Sequence, residues 1–298
     1  MAGPRFGYLL TAMVTPFDAD GAVSFDVARD LAQYLVAQGN DALVVGGSTG
    51  EGSSLSDAEK LDLFAAVAEA VTVPVVAGTS SSDTARSVAL TSRTAATGVA
   101  GVLVTTPAYA RPSQHGIAAH FGAVASSTTL PVMLYDIPVR TGRKVAPATT
   151  IDVVRRHPNV VALKDASADL VGAAAVKAEL GEGLDLYSGD DALLLAFLAV
   201  GAVGLVSVAA HWAAPEFAAL IRAVHAGDWP SARRLNARLA PSCSFETSDM
   251  YPNPLPSKAA MRALGFSVGQ CRLPLGPGDE LLDQSALDVV SALAASRG

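Results

Sequence analysis

A single lysine near the middle of the chain has the surroundings that an amine nucleophile needs. Lys164 is one of five lysines and directly follows the apolar residues 160–163, which are typical of a buried strand. Burial removes water from the amine, which lowers its pKa and enlarges the neutral, nucleophilic fraction. A lysine that extends its charge from a strand end into solvent would leave the same pattern, so both interpretations remain open from the position alone.

Tyr135 is placed to assist such an amine. It ends the apolar residues 132–134, which form the preceding strand candidate, and its phenol can transfer protons to or from a reacting group. Taken by itself, an aromatic residue at the rim of a sheet is also a common packing feature. The sequence therefore makes Tyr135 a candidate only in combination with Lys164.

The glycine-rich loop at residues 46–52 offers backbone N–H groups and the hydroxyls of Ser48 and Thr49. These donors can hold a small anion. The loop lacks the Gly-Lys-Ser/Thr ending of a phosphate-binding loop and does not fit the dinucleotide fingerprint, so a carboxylate suits it better than a nucleotide phosphate. A tight turn without a ligand is the alternative.

The sequence lacks the residue patterns that several other kinds of site require. The five histidines show no HExxH or equivalent spacing, and Cys243 and Cys271 have neither metal-ligand spacing nor a disulfide framework around them. The sequence predicts no metal site.

Short apolar runs alternate with alanine-rich helical stretches, which is the rhythm of repeated βα units. The predicted strands cover residues 9–15, 42–45, 73–77, 101–105, 132–136, 160–164, 184–188 and 204–208. Helices are predicted at 25–38, 57–71, 84–97, 113–125 and 191–200, with a capping box from Ser56 to Glu59. Eight such units favour an α/β fold, a (β/α)₈ TIM barrel, and an open doubly wound sheet is the alternative.

The strand signal ends after about residue 212. We therefore predict a catalytic barrel over residues 1–225 and a C-terminal helical extension over 226–298, with a proline-enforced loop at 252–256. In a barrel the catalytic groups lie at the carboxyl ends of the strands, where Lys164 and Tyr135 both fall.

Composition limits the partners. The chain has a net charge of −7 and 50% hydrophobic residues, without a basic block that could bind nucleic acid or an anionic membrane. Its start lacks the pattern of a signal peptide, and the uncharged residues 192–210 fit a helix and a strand better than a membrane span. We expect a cytoplasmic protein that acts on small molecules.

The motifs of the chain, taken in order, resemble those of the pyruvate-dependent aldolase and lyase family that includes dihydrodipicolinate synthase and N-acetylneuraminate lyase. They are AMVTPF at 12–17, GSTGE at 47–51, TPAY at 106–109, LYDIP at 134–138, LKD at 163–165 and SGDD at 188–191. The resemblance implies a barrel that works through a covalent imine, without a metal or organic cofactor. It also implies a homotetramer built as a dimer of dimers.

The same resemblance implies a role for each matching residue. Lys164 corresponds to the Schiff-base lysine, and the residues that move protons are Tyr135, Ser48 and Tyr109, the last reaching into a neighbouring subunit. The residues expected to bind substrate are Thr49, Arg140, Gly189 and Val206.

Arg140 bears on which reaction is expected. The segment PVRTG at 138–142 is similar to the synthase motif, whose arginine binds the carboxylate of L-aspartate 4-semialdehyde, and NPLP at 253–256 and LPL at 273–275 are similar to other synthase segments. A guanidinium forms a bidentate pair with a carboxylate. The implied reaction is condensation of pyruvate with this aldehyde in lysine and diaminopimelate biosynthesis.

Two alternatives stay open. GGSTGE at 46–51 is closer to the neuraminate lyase version, and no glycine follows Lys164 closely, so a lyase or aldolase acting on a sugar-derived 2-oxo acid is the first alternative. A non-catalytic barrel that binds 2-oxo acids is the second.

Regulation by lysine is expected to be weak or absent. Regulated synthases line a dimer-interface lysine pocket with Asn, Glu, His and Tyr, where this chain has Ser82, Arg86, Asp57 and Ala108. An arginine in place of a carboxylate repels an ammonium group.

Overall fold

The strands form a closed parallel barrel in the computed structural model, which describes residues 3–297. Each strand pairs with the next, and the last pairs with the first. The strands are β1 Leu9–Ala12, β2 Ala42–Val45, β3 Val75–Gly78, β4 Gly101–Thr105, β5 Val132–Asp136, β6 Val160–Asp165, β7 Asp185–Ser188 and β8 Gly204–Ser207. The barrel prediction is confirmed, and the open doubly wound sheet is wrong.

Helices surround the barrel and continue beyond it. They are α1 Phe25–Ala37, α2 Asp57–Ala70, α3 Thr84–Thr94, α4 Gln114–Ala125, α5 Pro138–Thr141, α6 Pro147–Arg156, α7 Leu170–Leu180, α8 Leu194–Ala199, α9 Ala210–His225, α10 Trp229–Phe245, α11 Leu255–Ala263 and α12 Glu280–Ala295. Short 3₁₀ turns cover Ala95–Thr97 and Gly181–Gly183. The five predicted helices are confirmed to within a few residues at their ends.

Local sequence explains several of these boundaries. Helix α2 begins with the predicted capping box, in which the Glu59 N–H donates to Ser56 Oγ and the Ser56 N–H donates to Glu59 Oε2. This exchange satisfies two N–H groups that an uncapped helix leaves without partners.

The strands are almost entirely buried because side chains of one face fill the barrel while those of the other face pack under the helices. The inner cluster contains Leu10, Val44, Leu103, Met133 and Val206 with two tyrosines, Tyr135 and Tyr187. At Gly204 a Cβ atom would lie 1.8 Å from the carbonyl oxygen of Tyr8, so only glycine lets β8 close against the chain entering β1.

Two predicted boundaries are wrong. The first strand ends at Ala12, not at residue 15, because the backbone N–H of Val14 donates to His211 Nε2 instead of continuing the sheet. The predicted loop at 252–256 ends at Pro254, since α11 begins at Leu255 and includes Pro256 in its first turn. A proline is tolerated there because the first helical N–H groups have no acceptor within the helix.

The C-terminal helices share a hydrophobic cluster with the barrel. Leu239 of α10, Ala260 of α11 and Leu293 of α12 pack with Leu205 of β8 and Phe217 of α9. The proposed division at residues 225 and 226 falls between α9 and α10 and remains a prediction. Within residues 3–297, no helix is long and apolar enough to cross a membrane.

Candidate active site

The amine of Lys164 lies at the carboxyl end of β6, inside the barrel mouth. The residue is only 3% exposed, and its Nζ lies 4.3 Å from the centre of the Tyr135 ring. Desolvation lowers the pKa of Lys164 to about 8, and the positive charge of Arg140 lowers it too, while Asp191 and Glu246 act in the opposite direction. A substantial fraction of the amine is therefore neutral near physiological pH.

Tyr135 lies beside Lys164 because β5 and β6 are neighbours and the two residues are register partners. Burial raises the pKa of the Tyr135 phenol, and the positive charge of Arg140 and a hydrogen bond with the Ser48 side chain lower it. The phenol therefore stays protonated and can donate a proton to a reacting group. The Lys164 amine lies over the Tyr135 ring, so Ser48, Tyr135 and Lys164 follow one another across the barrel mouth.

A cavity of about 520 Å³ opens at this end of the barrel. Four of the predicted site residues line it: Ser48, Tyr135, Tyr109 and Arg140. Lys164 lies against the Tyr135 ring and is not part of the cavity lining. Thr49, Gly189 and Val206 are not part of the lining either. The volume is within the range of small-molecule sites in proteins.

Tyr109 has an unusual position. It is 96% exposed and its backbone has a φ of 70°, which side-chain-bearing residues seldom adopt. Arg111, two residues on, also has a positive φ of 47°. An exposed aromatic residue on a strained loop is a feature of binding surfaces, since it gains contacts only when something covers it.

Asn253 connects two predicted substrate-binding residues. Its side-chain Nδ2 donates to Thr49 Oγ1 at 2.9 Å, and its backbone carbonyl accepts from Arg140 Nη2 at 2.9 Å. Thr49 is buried, and its own hydroxyl hydrogen remains available to an anion. Asn253 reaches the site from the segment before α11, so the C-terminal extension helps to position the barrel mouth.

Gly189 and Val206 shape the space around the amine rather than the cavity. A Cβ atom at Gly189 would lie 3.0 Å from Cγ and Cε of Lys164, so a larger residue would push the lysine aside. Val206 is fully buried in β8 and belongs to the inner cluster that includes Tyr135.

Two buried carboxyl groups, Asp191 and Glu246, act electrostatically on Lys164. Asp191 accepts hydrogen bonds from the Ser207 hydroxyl and from the Val208 N–H, the latter at 2.9 Å. Desolvation raises the pKa of both carboxyls, and Asp191 raises that of Glu246 further. Both carboxyls are therefore harder to ionise than usual, which weakens their stabilisation of the charged form of Lys164.

The loop between β2 and α2 is held by an ion pair. Glu51, with a φ of 52°, is buried, and Lys258 Nζ lies 2.7 Å from its Oε1. The backbone N–H of Arg272 donates to Glu51 Oε2 at 2.8 Å. These contacts fix the loop that carries Ser48 and Thr49.

The structure thus brings Lys164, Tyr135, Ser48 and Arg140 to one end of the barrel, with Tyr109 at its rim. Sequence reasoning did not assign roles to Asn253, Glu246 or Lys258. Only Asn253 lay within a segment that the resemblance had marked. No group of three or more His, Cys, Asp or Glu side chains among residues 3–297 is arranged to hold a metal ion.

The fold and the site together define the class of protein: this is a (β/α)₈-barrel enzyme with a desolvated lysine at the end of its sixth strand. Comparison with known proteins narrows the class. The sequence model of the dihydrodipicolinate synthetase family matches residues 5–293. The chain belongs to this family.

Individual proteins and solved structures are also similar to this chain. A 4-hydroxy-tetrahydrodipicolinate synthase of Mycobacterium leprae is 47% identical over 293 residues, which cover 97% of this chain and 95% of that protein. A crystal structure of DHDPS from Cyanidioschyzon merolae with lysine bound has a TM-score of 0.94 at 39% identity, covering 98% and 99% of the two chains. A monomeric dihydrodipicolinate synthase variant has a TM-score of 0.92 at 28% identity, with 97% of each chain covered.

Proposed function

We propose that the chain condenses pyruvate with L-aspartate 4-semialdehyde to give 4-hydroxy-tetrahydrodipicolinate, through an imine on Lys164. The observation that carries this proposal is the amine itself, which is buried, has a pKa lowered to about 8 and lies against the Tyr135 ring. The name of the Mycobacterium leprae relative supports the choice of reaction.

The first half of the reaction activates pyruvate. The neutral Lys164 amine attacks C2 of pyruvate, and the carbonyl oxygen leaves as water after accepting protons, which gives an iminium ion. Its positive nitrogen withdraws electrons, so a proton leaves C3 and an enamine forms. Tyr135 is the proton donor and acceptor in reach of the nitrogen, and Ser48 connects it to the cavity.

The second half forms the new carbon–carbon bond. The enamine C3 attacks the aldehyde carbon, whose oxygen takes a proton from the chain that includes Tyr135, and the iminium ion re-forms. The amino group of the aldehyde substrate then adds to C2, closes the ring and expels Lys164 as a free amine. The atoms balance, because the two substrates give the cyclic product and the one water released when the imine forms.

Arg140 is the residue proposed to bind the aldehyde's carboxylate. It lines the cavity, and the Asn253 carbonyl at 2.9 Å engages only one of its two terminal nitrogens. The remaining N–H groups can form charge-assisted bonds with a carboxylate. Thr49 and the backbone of its loop are proposed to hold the pyruvate carboxylate, with Gly189 and Val206 bordering the bound pyruvate.

We propose a homotetramer in which Tyr109 completes the site of a neighbouring subunit. The supporting observations are the 96% exposure of Tyr109 and its positive φ. One similar structure is described as a monomeric variant, so the tetramer is a proposal separate from the fold. Cytoplasmic location remains part of this proposal.

The test is the condensation rate with pyruvate and L-aspartate 4-semialdehyde, coupled to reduction of the product, together with borohydride trapping of the pyruvate imine. Wild type should turn over and gain one pyruvate-derived adduct by mass, whereas Lys164→Ala should do neither. Lys177→Ala, a substitution of a lysine that binds the Gly181 carbonyl, serves as the matched control and should keep both.

The outcomes separate the alternatives. An adduct without condensation would move the proposal to a sugar-derived 2-oxo acid as substrate of the same amine. Absence of any adduct in the wild type would leave only a non-catalytic barrel that binds 2-oxo acids.

A further inference from the structure

Arg140 lies on a segment that cannot hold its shape by itself. The chain leaves the barrel at Asp136, the last residue of β5, and α6 begins at Pro147. Between them the only regular structure is α5, which has four residues. A helix of this length is unstable in water without tertiary contacts, so contacts from outside α5 must fix the position of Arg140.

One side chain closes this segment. Asp136 Oδ1 accepts a hydrogen bond from the backbone N–H of Val145 at 3.1 Å. The bond joins the two ends of residues 137–145, called the Arg140 loop here, as in a compact Ω-loop. Asp136 is only 3% exposed, and Val145 belongs with Leu134 to the hydrophobic cluster between the strands and the helices. The Arg140 loop is therefore closed at a buried point.

The charge of Asp136 strengthens this closure. Burial raises the pKa of the Asp136 carboxyl to about 6, while the hydrogen bond from the Val145 N–H and the charge of Lys144 lower it. The carboxyl is therefore mainly ionised at neutral pH. A hydrogen bond to a carboxylate is stronger than one between neutral groups, so the ionised form holds Val145 more firmly.

The far end of the Arg140 loop has further anchors. Gln114 at the start of α4 donates from Nε2 to the Lys144 carbonyl at 2.8 Å, and its Oε1 accepts from the Ala146 N–H at 2.9 Å. Lys144 Nζ lies 3.1 Å from Oδ2 of Asp169, the residue that caps α7. The loop is thus tied to α4 and to the start of the helix that follows β6.

Asp136 itself faces away from the substrates. Successive residues of a strand point to opposite faces, and Tyr135 belongs to the inner cluster of the barrel. Asp136 therefore faces the helices, and it is not among the residues that line the cavity. Lys164 and Tyr135 are positioned by the pairing of β6 with β5 instead. Any effect of Asp136 on the reaction must then pass through Arg140.

We propose that Asp136 is a positioning residue for Arg140, and thereby for the aldehyde but not for pyruvate. Closure of the Arg140 loop sets where the guanidinium meets a carboxylate, whereas the imine-forming amine lies on β6. This inference rests on the proposed function, because it takes Arg140 as the group that binds the aldehyde's carboxylate. Recognition of that carboxylate then depends on a hydrogen bond outside the cavity.

Two substitutions separate the hydrogen bond from the charge. Asp136→Ala leaves the Val145 N–H buried without an acceptor, so the KM for L-aspartate 4-semialdehyde should rise at least about tenfold. The turnover number at saturating aldehyde and the rate of pyruvate trapping by cyanoborohydride should stay close to wild type. Asp136→Asn keeps an oxygen that accepts from Val145, so it should restore most of the affinity for the aldehyde.

A matched control lies at the opposite end of the barrel. Asp41 Oδ2 accepts from the N–H groups of Tyr8 and Leu9, at 2.7 and 3.0 Å, and joins the chain entering β1 to the start of β2. Asp41→Ala removes the same kind of bond and should lower the melting temperature. It should leave the KM for either substrate unchanged.

The closure can also be measured without turnover. Arg140, Arg143 and Lys144 are the trypsin sites of the Arg140 loop, and cleavage there requires the loop to open locally. Asp136→Ala should be cut at these sites about tenfold faster than wild type, as loss of a buried hydrogen bond implies. Asp136→Asn should be cut at nearly the wild-type rate.

The outcomes decide the assignment. An Asp136→Ala variant with a wild-type KM for the aldehyde would overturn the proposal even if its loop is cut faster, because the closure would then be structural only. A parallel loss of pyruvate trapping would overturn it as well, since the effect would not be confined to Arg140. Wild type without turnover would count against the proposed function instead, and equal tryptic rates in wild type and Asp136→Ala would then decide against the closure.

A second variant covers the case in which Asp136→Ala does not fold, which melting curves recorded without substrate show. Gln114→Ala removes two other hydrogen bonds of the loop end and leaves Asp136 in place. It should raise the KM for the aldehyde and leave pyruvate trapping unchanged. An unchanged KM in this variant would contradict the dependence of Arg140 on its loop.

Discussion

Lys164 and Lys258 are both buried, but their amines differ in their polar partners. Each lies over an aromatic ring, with Nζ 4.3 Å from the centre of Tyr135 and 4.0 Å from the centre of Phe17, respectively. Lys258 adds an ion pair with Glu51 at 2.7 Å and a bond to the Gln270 carbonyl at 2.9 Å. Lys164 has neither.

The difference shows that desolvation alone does not make a nucleophile. Burial lowers the pKa of both amines, but Glu51 acts directly against this at Lys258 and holds the ammonium in place. At Lys164 the opposing groups are Asp191 and Glu246, and burial raises the pKa of both carboxyls, so they stabilise the charged amine less than fully ionised carboxylates would. A reactive amine requires burial and, in addition, few groups that favour its charged form.

The largest expected effect tests the aromatic neighbour. Tyr135→Phe keeps the ring under Lys164 and removes the hydroxyl, so the condensation rate should fall by about 10²–10⁴-fold while the melting temperature changes little. Tyr187→Phe is the matched control, because Tyr187 is the β7 register partner of Lys164 and donates to the Gly7 carbonyl. That control should lose stability and keep its turnover number. Equal rate losses in both variants would show that the hydroxyl of Tyr135 acts only through packing.

The second effect tests the partners of Lys258. Lys258→Met leaves the Glu51 carboxylate buried without its ion pair, so the free energy of unfolding should fall by about 3–5 kcal/mol. Adding Glu51→Gln removes the unpaired carboxylate and should recover part of the lost free energy of unfolding. Arg155→Met, which breaks an exposed pair with Glu179, should change stability by less than about 1 kcal/mol. A small loss in Lys258→Met would mean that the two lysines differ less than their contacts suggest.

The third effect is the pH dependence of trapping. The initial rate of adduct formation with pyruvate and cyanoborohydride should rise about tenfold per pH unit below 8 and level off above it, because only neutral Lys164 attacks. Peptide mapping should find the adduct on Lys164 and none on Lys258. A rate that continues to rise to pH 10 would indicate an amine with an ordinary pKa.

The smallest effect concerns the stability cost of the site. Lys164→Met should raise the free energy of unfolding by about 1 kcal/mol at pH 7, since it removes a buried amine without an ionic partner. Because the pKa is near 8 when folded and 10.5 when unfolded, the unfolded state binds more protons between these values. The advantage of the variant should therefore be constant below pH 8 and become a disadvantage by pH 10.5, because a pKa difference of about 2.5 is worth about 3.4 kcal/mol. Denaturant titrations at several pH values measure this difference in stability. A variant less stable than the wild type at pH 7 would contradict the contrast drawn between Lys164 and Lys258.

The sequence predicted those features that a short stretch of chain determines. The strand ends give the positions of Lys164 and Tyr135, because an apolar run followed by a polar residue marks the mouth of the barrel. Their meeting also follows, since consecutive parallel strands pair. The capping box of α2 is similarly local.

Features made by distant segments could not be read in the same way. The bond from Asn253 to Thr49 joins residues 204 positions apart, and Glu246 reaches Asp191 from the end of α10. Both lie in the helical extension, where periodicity predicts helices but not the end of the barrel on which they pack. The loop prediction wrongly included Pro256, because a proline with a fixed φ and no N–H fits a loop and a first helical turn equally well.

The pairing of β1 with β8 has a consequence for synthesis of the chain. Leu9 of β1 pairs with Leu205 of β8. The sheet therefore has two open edges until almost two hundred further residues have been translated. At about 5–20 residues per second, that interval lasts roughly 10–40 seconds. During it, the backbone of β1 and the apolar faces of the early strands are open to wrong partners. Slower translation lengthens this interval, so it should lower the soluble yield of the barrel.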